Sequence, residues 1–130
     1  MSHRILVVED NSANRELLCD WLEMEGFQVL SAATLEQAFA VVKGERPDAV
    51  LLDVQLGAED GLALAARIRQ DPGLRSLPVI AVTAHAMVTD HARVLQAGCD
   101  ACISKPIDFR ALGAELERWL HITAISQSRL

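Results

Sequence analysis

Short apolar runs alternate with longer amphipathic stretches five times along the chain. Arg4–Val8 (RILVV), Phe27–Ser31 (FQVLS), Asp48–Leu52 (DAVLL), Pro78–Val82 (PVIAV) and Ala101–Ser104 (ACIS) are rich in aliphatic or β-branched side chains. Runs of that length bounded by turn residues predict strands. The third is apolar through its centre, as a strand covered on both faces requires. Between the runs, apolar residues recur at helical spacing. Asn11 or Ser12 is placed to cap a first helix whose core face is Leu17, Leu18, Trp21 and Leu22, with Gly26 as its left-handed stop. Thr34-Leu-Glu-Gln37 reads as a capping box opening a helix that ends around Gly44 and Pro47. Asp60-Gly61 opens a third helix that Asp71-Pro72-Gly73 breaks, and a fourth covers about Thr89–Ala97, closed by Gly98. Asp108 caps a fifth that ends near Leu120, and residues 122–130 read as a flexible polar tail.

Five β-α repeats with short connections predict an α/β domain over residues 4–121, a parallel sheet with helices on both faces. In such sheets ligands bind outside the carboxyl ends of the strands, so the residues at those ends carry the functional reading. Strand one ends in Glu9-Asp10, strand three in Asp53, strand four in Thr83 and strand five in Lys105-Pro106. Three carboxylates, a hydroxyl and an ammonium therefore gather on one edge. Crowded carboxylates raise the cost of ionising one another. With one ammonium present, two negative charges remain, which a divalent cation cancels. Hard oxygen ligands with open water positions suit Mg²⁺, and Mn²⁺ would substitute. A phosphoryl group on Asp53 would bring strong acceptor oxygens that Mg²⁺, Lys105 and the Thr83 hydroxyl could satisfy.

Composition narrows the partners. The chain has 130 residues, enough for one domain with a real core. Its net charge of −6, from 18 acidic and 12 basic residues, argues against nucleic acid, whose backbone calls for a clustered basic face. Arg67, Arg69 and Arg75 come nearest to one, and Asp71 interrupts them. No apolar run approaches the roughly 18 residues that span a bilayer, and no signal-peptide core follows Met1. Three cysteines, an odd number, fit a reducing compartment. The expectation is a soluble, cytoplasmic protein with no membrane contact.

The motifs VVEDN, LLDVQL, VTAHAM and SKPI, one per strand end and in this order, resemble those of the response-regulator receiver domains of two-component signalling. The likeness covers about residues 4–121. The run GCDACISKPI carries a closer likeness to single-domain cell-cycle regulators and to receivers of hybrid histidine kinases. The resemblance implies a flavodoxin-like (βα)5 fold with strand order 2-1-3-4-5. It implies Asp53 as phosphoacceptor and a metal held by Glu9, Asp10, Asp53 and the backbone carbonyl of Gln55. Thr83, Ala84 and Lys105 would contact the phosphoryl group, and the Lys105–Pro106 peptide would be cis. A histidine kinase or histidine phosphotransfer protein would donate, docking on a patch of Asn14, Leu18, Pro106 and Ile107. An unidentified downstream protein would read the face containing Arg93, Gln96 and Arg110. The activity would be limited to Mg²⁺-dependent self-phosphorylation and autodephosphorylation. Separately, His85 stands two residues after Thr83, where its ring would flank the phosphoryl group, and with Gln55 it is expected to set the lifetime of the phosphorylated state.

Two departures from the family pattern stand out. Gly57 replaces the usual proline four residues after Asp53. Cys102 stands three residues before Lys105, where many receivers carry an aromatic residue that couples to the threonine, and offers far less area to bury. Competing readings fare worse. A flavodoxin-like cofactor binder needs a phosphate-cradling loop after strand one, where Glu9-Asp10 would repel the phosphate. A haloacid-type phosphatase needs an acid two residues after its nucleophile, and position 55 is Gln. A pseudo-receiver that never takes phosphate would have no need of the intact Glu9, Asp10, Asp53, Thr83 and Lys105 set. Cys99-Asp-Ala-Cys102 follows a helix-ending glycine rather than opening a helix, so a redox pair is disfavoured. His85 and His91 do not share a helical face for zinc.

Overall fold

The computed structural model describes residues 3–84 and 88–121. Five strands form one parallel sheet: β1 (Arg4–Val8), β2 (Gln28–Ala32), β3 (Ala49–Asp53), β4 (Val79–Thr83) and β5 (Ala101–Ser104). Their spatial order is β2-β1-β3-β4-β5, the 2-1-3-4-5 order of a flavodoxin-like fold. Helices α1 (Ser12–Met24), α2 (Leu35–Glu45), α3 (Leu62–Gln70), α4 (Val88–Gln96) and α5 (Phe109–Leu120) connect and follow them.

Strand alternation divides the core into two layers. Ile5, Val7, Leu51 and Ile80 point to the side covered by Leu18 and Leu22 of α1 and Leu112 and Leu116 of α5. Leu6, Val8, Val50, Leu52 and Ala81 point to the other, against Val42 of α2, Ile68 of α3 and Val94 of α4. The central strands are buried on both faces, which is why their sequences are apolar throughout rather than alternating. Each large aliphatic side chain removed from water contributes about 1.5–3 kcal/mol.

Several boundaries differ from the sequence-based expectation. Strands β2, β3 and β4 each begin and end one residue later than their apolar runs suggest. Pro78 lacks an N–H and only accepts, from the Val50 amide at 2.9 Å, while Asp53 and Thr83 remain in the ladder opposite Val82 and Ser104. Asp53 and Thr83 are therefore the last residues of their strands, not the first beyond them. Helix α2 runs through Gly44 and ends on Arg46, whose φ of 50° supplies the left-handed cap. On α1, Leu17 is 56% exposed, so the core face is Leu18 and Leu22, with Trp21 half-buried against Phe109.

The caps at Asn11, Thr34 and Asp108 form as expected, each side chain accepting from a backbone amide of the following turn. A small antiparallel hairpin, Gln55–Leu56 against Glu59–Asp60, lies between β3 and α3. Two-residue strands have no measurable period, so hydropathy gives no sign of it.

Candidate functional site

The carboxyl ends of β1, β3, β4 and β5 converge. Glu9 follows β1 directly and is 2% exposed, Asp53 closes β3 at 6%, and Thr83 closes β4 at 2%. Asp10 is exposed. A carboxylate oxygen from each of Glu9, Asp10 and Asp53 lies within 4.8 Å of the other two, a spacing that fits one shared cation. Lys105, just past β5, extends its ammonium to Asp53 Oδ2 at 3.1 Å and to Glu9 Oε1 at 3.5 Å. The amide of Gln55 donates to Asp53 Oδ1 at 3.0 Å. Both oxygens of Asp53 are thus held in direction, one by backbone and one by a side chain.

The electrostatics follow from this crowding. The Glu9 carboxyl is pushed up to about 7, first by burial and then by a hydrogen bond with Asp53 and by its charge. Lys105 and the Asn11 amide pull the other way without compensating. Burial alone would lower the Lys105 ammonium, but its bonds to Asp53 and Glu9 outweigh that and raise it. One ammonium is insufficient for three carboxylates, and a divalent cation would supply the missing charge. That donor set, all hard oxygen and one member open to water, fits Mg²⁺.

Backbone geometry fixes these groups. The Lys105 amide donates to the Thr83 carbonyl at 2.7 Å, locking the end of β5 to the end of β4. The Lys105–Pro106 peptide is cis. Gly61 opens α3 where its amide donates to Val54 O at 2.7 Å. Ala84 is exposed beside Thr83. The sequence gives no sign of Arg15, whose guanidinium reaches back from α1 to the Glu9 carbonyl at 2.8 Å and pins the loop bearing Glu9 and Asp10. Spacing alone could not reveal a bond from a helical side chain to a backbone carbonyl six residues earlier.

The chain matches the response regulator receiver domain over residues 5–117. It belongs to that family. This receiver domain is 40% identical, over 107 residues, to the polar-differentiation response regulator DivK of Brucella anthropi, covering 82% of this chain and 87% of the relative. Among solved structures it superposes on the receiver domain of a sensor histidine kinase from Pseudomonas aeruginosa, which holds a magnesium ion in its active-site cleft. The TM-score is 0.85 at 34% identity, covering 93% of this chain and 99% of that one. A CheY-like receiver domain protein from Methanospirillum hungatei gives a TM-score of 0.83 at 30% identity, covering 93% and 95%.

Around the receiver's strand ends, the remaining expectations divide. A groove beside the acidic cluster is lined by Asn14, Leu17, Leu18, Pro106, Ile107 and Phe109. All four residues of the expected patch line it, but Leu18 is buried there and Leu17, expected on the core face, is exposed: a one-residue step turns a side chain by about 100° around a helix. Arg93, Gln96 and Arg110 are exposed. His85 lies outside the described residues. Cys99 is buried, and burial followed by the neighbouring Cys102 pushes its thiol up to about 12, the opposite of a redox-active thiol. Among the described residues no helix is long and apolar enough to cross a membrane.

Proposed function

We propose that the chain accepts a phosphoryl group on Asp53 from a phosphohistidine donor and thereby switches a protein-binding surface. The observation that carries this is the placement of the buried Asp53 carboxylate within 4.8 Å of those of Glu9 and Asp10, with the Lys105 ammonium 3.1 Å away. Glu9, Asp10, Asp53 and the Gln55 carbonyl would hold Mg²⁺, as the charge deficit asks, and Mn²⁺ would substitute. The bound cation supplies positive charge to the oxygens of the transferring group. Asp53 attacks phosphorus in line, the P–N bond to the donor imidazole breaks as the P–O bond forms, and the imidazole leaves with a proton from solvent. The protein contributes position and charge neutralisation rather than proton transfer.

Lys105 turns its ammonium from the carboxylate to the new oxygens, and Thr83, with the exposed Ala84 leaving space beside it, donates its hydroxyl to one of them. Turnover is limited to self-phosphorylation and autodephosphorylation, with Gln55 and His85 setting the rate of the latter. Residues 4–121 act as the unit; the expected tail, residues 122–130, lies outside the described residues. The donor, a histidine kinase or a histidine phosphotransfer protein, seats a helical bundle in the groove walled by Leu17 and Pro106, and a downstream protein reads the α4–β5–α5 face. The test is acetyl phosphate with Mg²⁺, read by intact mass. The account expects a hydroxylamine-labile gain of one phosphoryl group in wild type and none in Asp53→Asn; equal gains would overturn it.

A further inference from the structure

On its α4-facing side β5 presents Cys102 and Ser104, two small side chains. A polar tie reaches them from the helix. His91 Nε2 of α4 lies 3.2 Å from Ser104 Oγ, in a partly buried contact. Ser104 is the ladder partner of Thr83 and precedes Lys105, whose amide donates to the Thr83 carbonyl at 2.7 Å. The tie therefore anchors α4 to the point where the two groups expected to grip a phosphoryl oxygen leave the sheet.

We infer that the His91–Ser104 hydrogen bond is a latch holding α4 in its resting position, and that His91 is a positioning residue for the Thr83–Lys105 end of the site. The inference rests on the phosphoacceptor reading of Asp53. Hydrogen bonds weaken steeply with distance and misalignment, so a pull on Thr83 and Lys105 toward a phosphoryl group strains this bond through Ser104. A contact that stabilises the resting arrangement must, by linkage, weaken binding of whatever favours the other one. Releasing the latch therefore strengthens the site's hold on a phosphoryl group. A typical net hydrogen bond corresponds to about a fivefold change in an equilibrium constant.

The test uses beryllium fluoride, a mimic of the acyl phosphate, titrated with Mg²⁺ and followed by ¹⁹F NMR of the bound fluorides in the full chain. His91→Ala and Ser104→Ala should each tighten binding about fivefold. The double variant should tighten it no further, and Ser104→Thr, which keeps the hydroxyl, should match wild type. A merely structural contact would lower Tm in the variants without tightening the mimic. Unchanged or weaker binding in both alanine variants, or a fully additive double variant, overturns the latch while leaving the phosphoacceptor reading intact. Absence of saturable binding to wild type, or equal binding to Asp53→Asn, overturns that reading and the latch with it.

Discussion

Replacing Gly61 by alanine tests the structural account at one atom. Gly61 sits at the start of α3 with φ −57° and ψ −26°, which alanine adopts freely. Backbone preference therefore does not demand glycine, and at this N-cap position neither residue offers a side-chain oxygen to the first turn. Space decides the other way. An added Cβ would overlap the Asp53 carbonyl oxygen and approach Val54 O at 3.0 Å and Val54 Cα at 3.1 Å, all backbone atoms unable to rotate away. Forced backbone shifts cost about 1–3 kcal/mol. Weakening the bond from the Gly61 amide to Val54 O adds about 1 kcal/mol. The net loss is about 2–4 kcal/mol, or about 6–16 °C in Tm for a domain of this size. Gly44→Ala is the control: it lies within α2 with no atom within 4 Å of its would-be Cβ, so it should gain roughly 0.5 kcal/mol. Thermal and urea unfolding of the three proteins measures both. A Gly61→Ala protein as stable as wild type would refute the steric argument.

Two further outcomes follow from the site and its supports. Because Glu9 ionises only around pH 7 in the metal-free protein and must be ionised to hold a cation, Mg²⁺ binding releases a proton below that pH. The apparent affinity should fall by about tenfold per pH unit there and level off above it; calorimetric titrations at pH 6 and 8 giving equal constants would contradict this. Arg69 donates to Gly98 O at 2.8 Å, Arg75 O at 2.9 Å and Leu77 O at 2.8 Å, and pairs with Asp100 at 2.6 Å. Arg69→Ala should cost about 2–4 kcal/mol, whereas exposed Arg75→Ala should change stability by less than about 0.5 kcal/mol.

The same arginine shows what a sequence withholds. Read along the chain, Arg67, Arg69 and Arg75 are a diffuse basic stretch; folded, Arg69 staples α3, the connection after it and the turn at Gly98, whose φ of 115° keeps a carbonyl within reach. Long side chains bond to carbonyls remote in sequence, and no local period encodes that. The strands and the acidic edge were legible because they obey short-range rules: aliphatic runs, caps at Asn11, Thr34 and Asp108, and charges at run ends. Leu17 and Leu18 were not separable, since an apolar stripe that wide leaves the helix free to turn by a residue. The His91–Ser104 contact was equally hidden, because neither residue is unusual for a helix or a strand end.

The central claim is that Asp53, among the several acids at this edge, forms the acyl phosphate. Borohydride reduction after treatment with acetyl phosphate and Mg²⁺ converts a phosphorylated aspartate to homoserine, and peptide mass mapping locates it. The account predicts homoserine at position 53 and intact acids at positions 9 and 10. Homoserine at Asp10, or none anywhere in a protein shown to bind Mg²⁺, would contradict it.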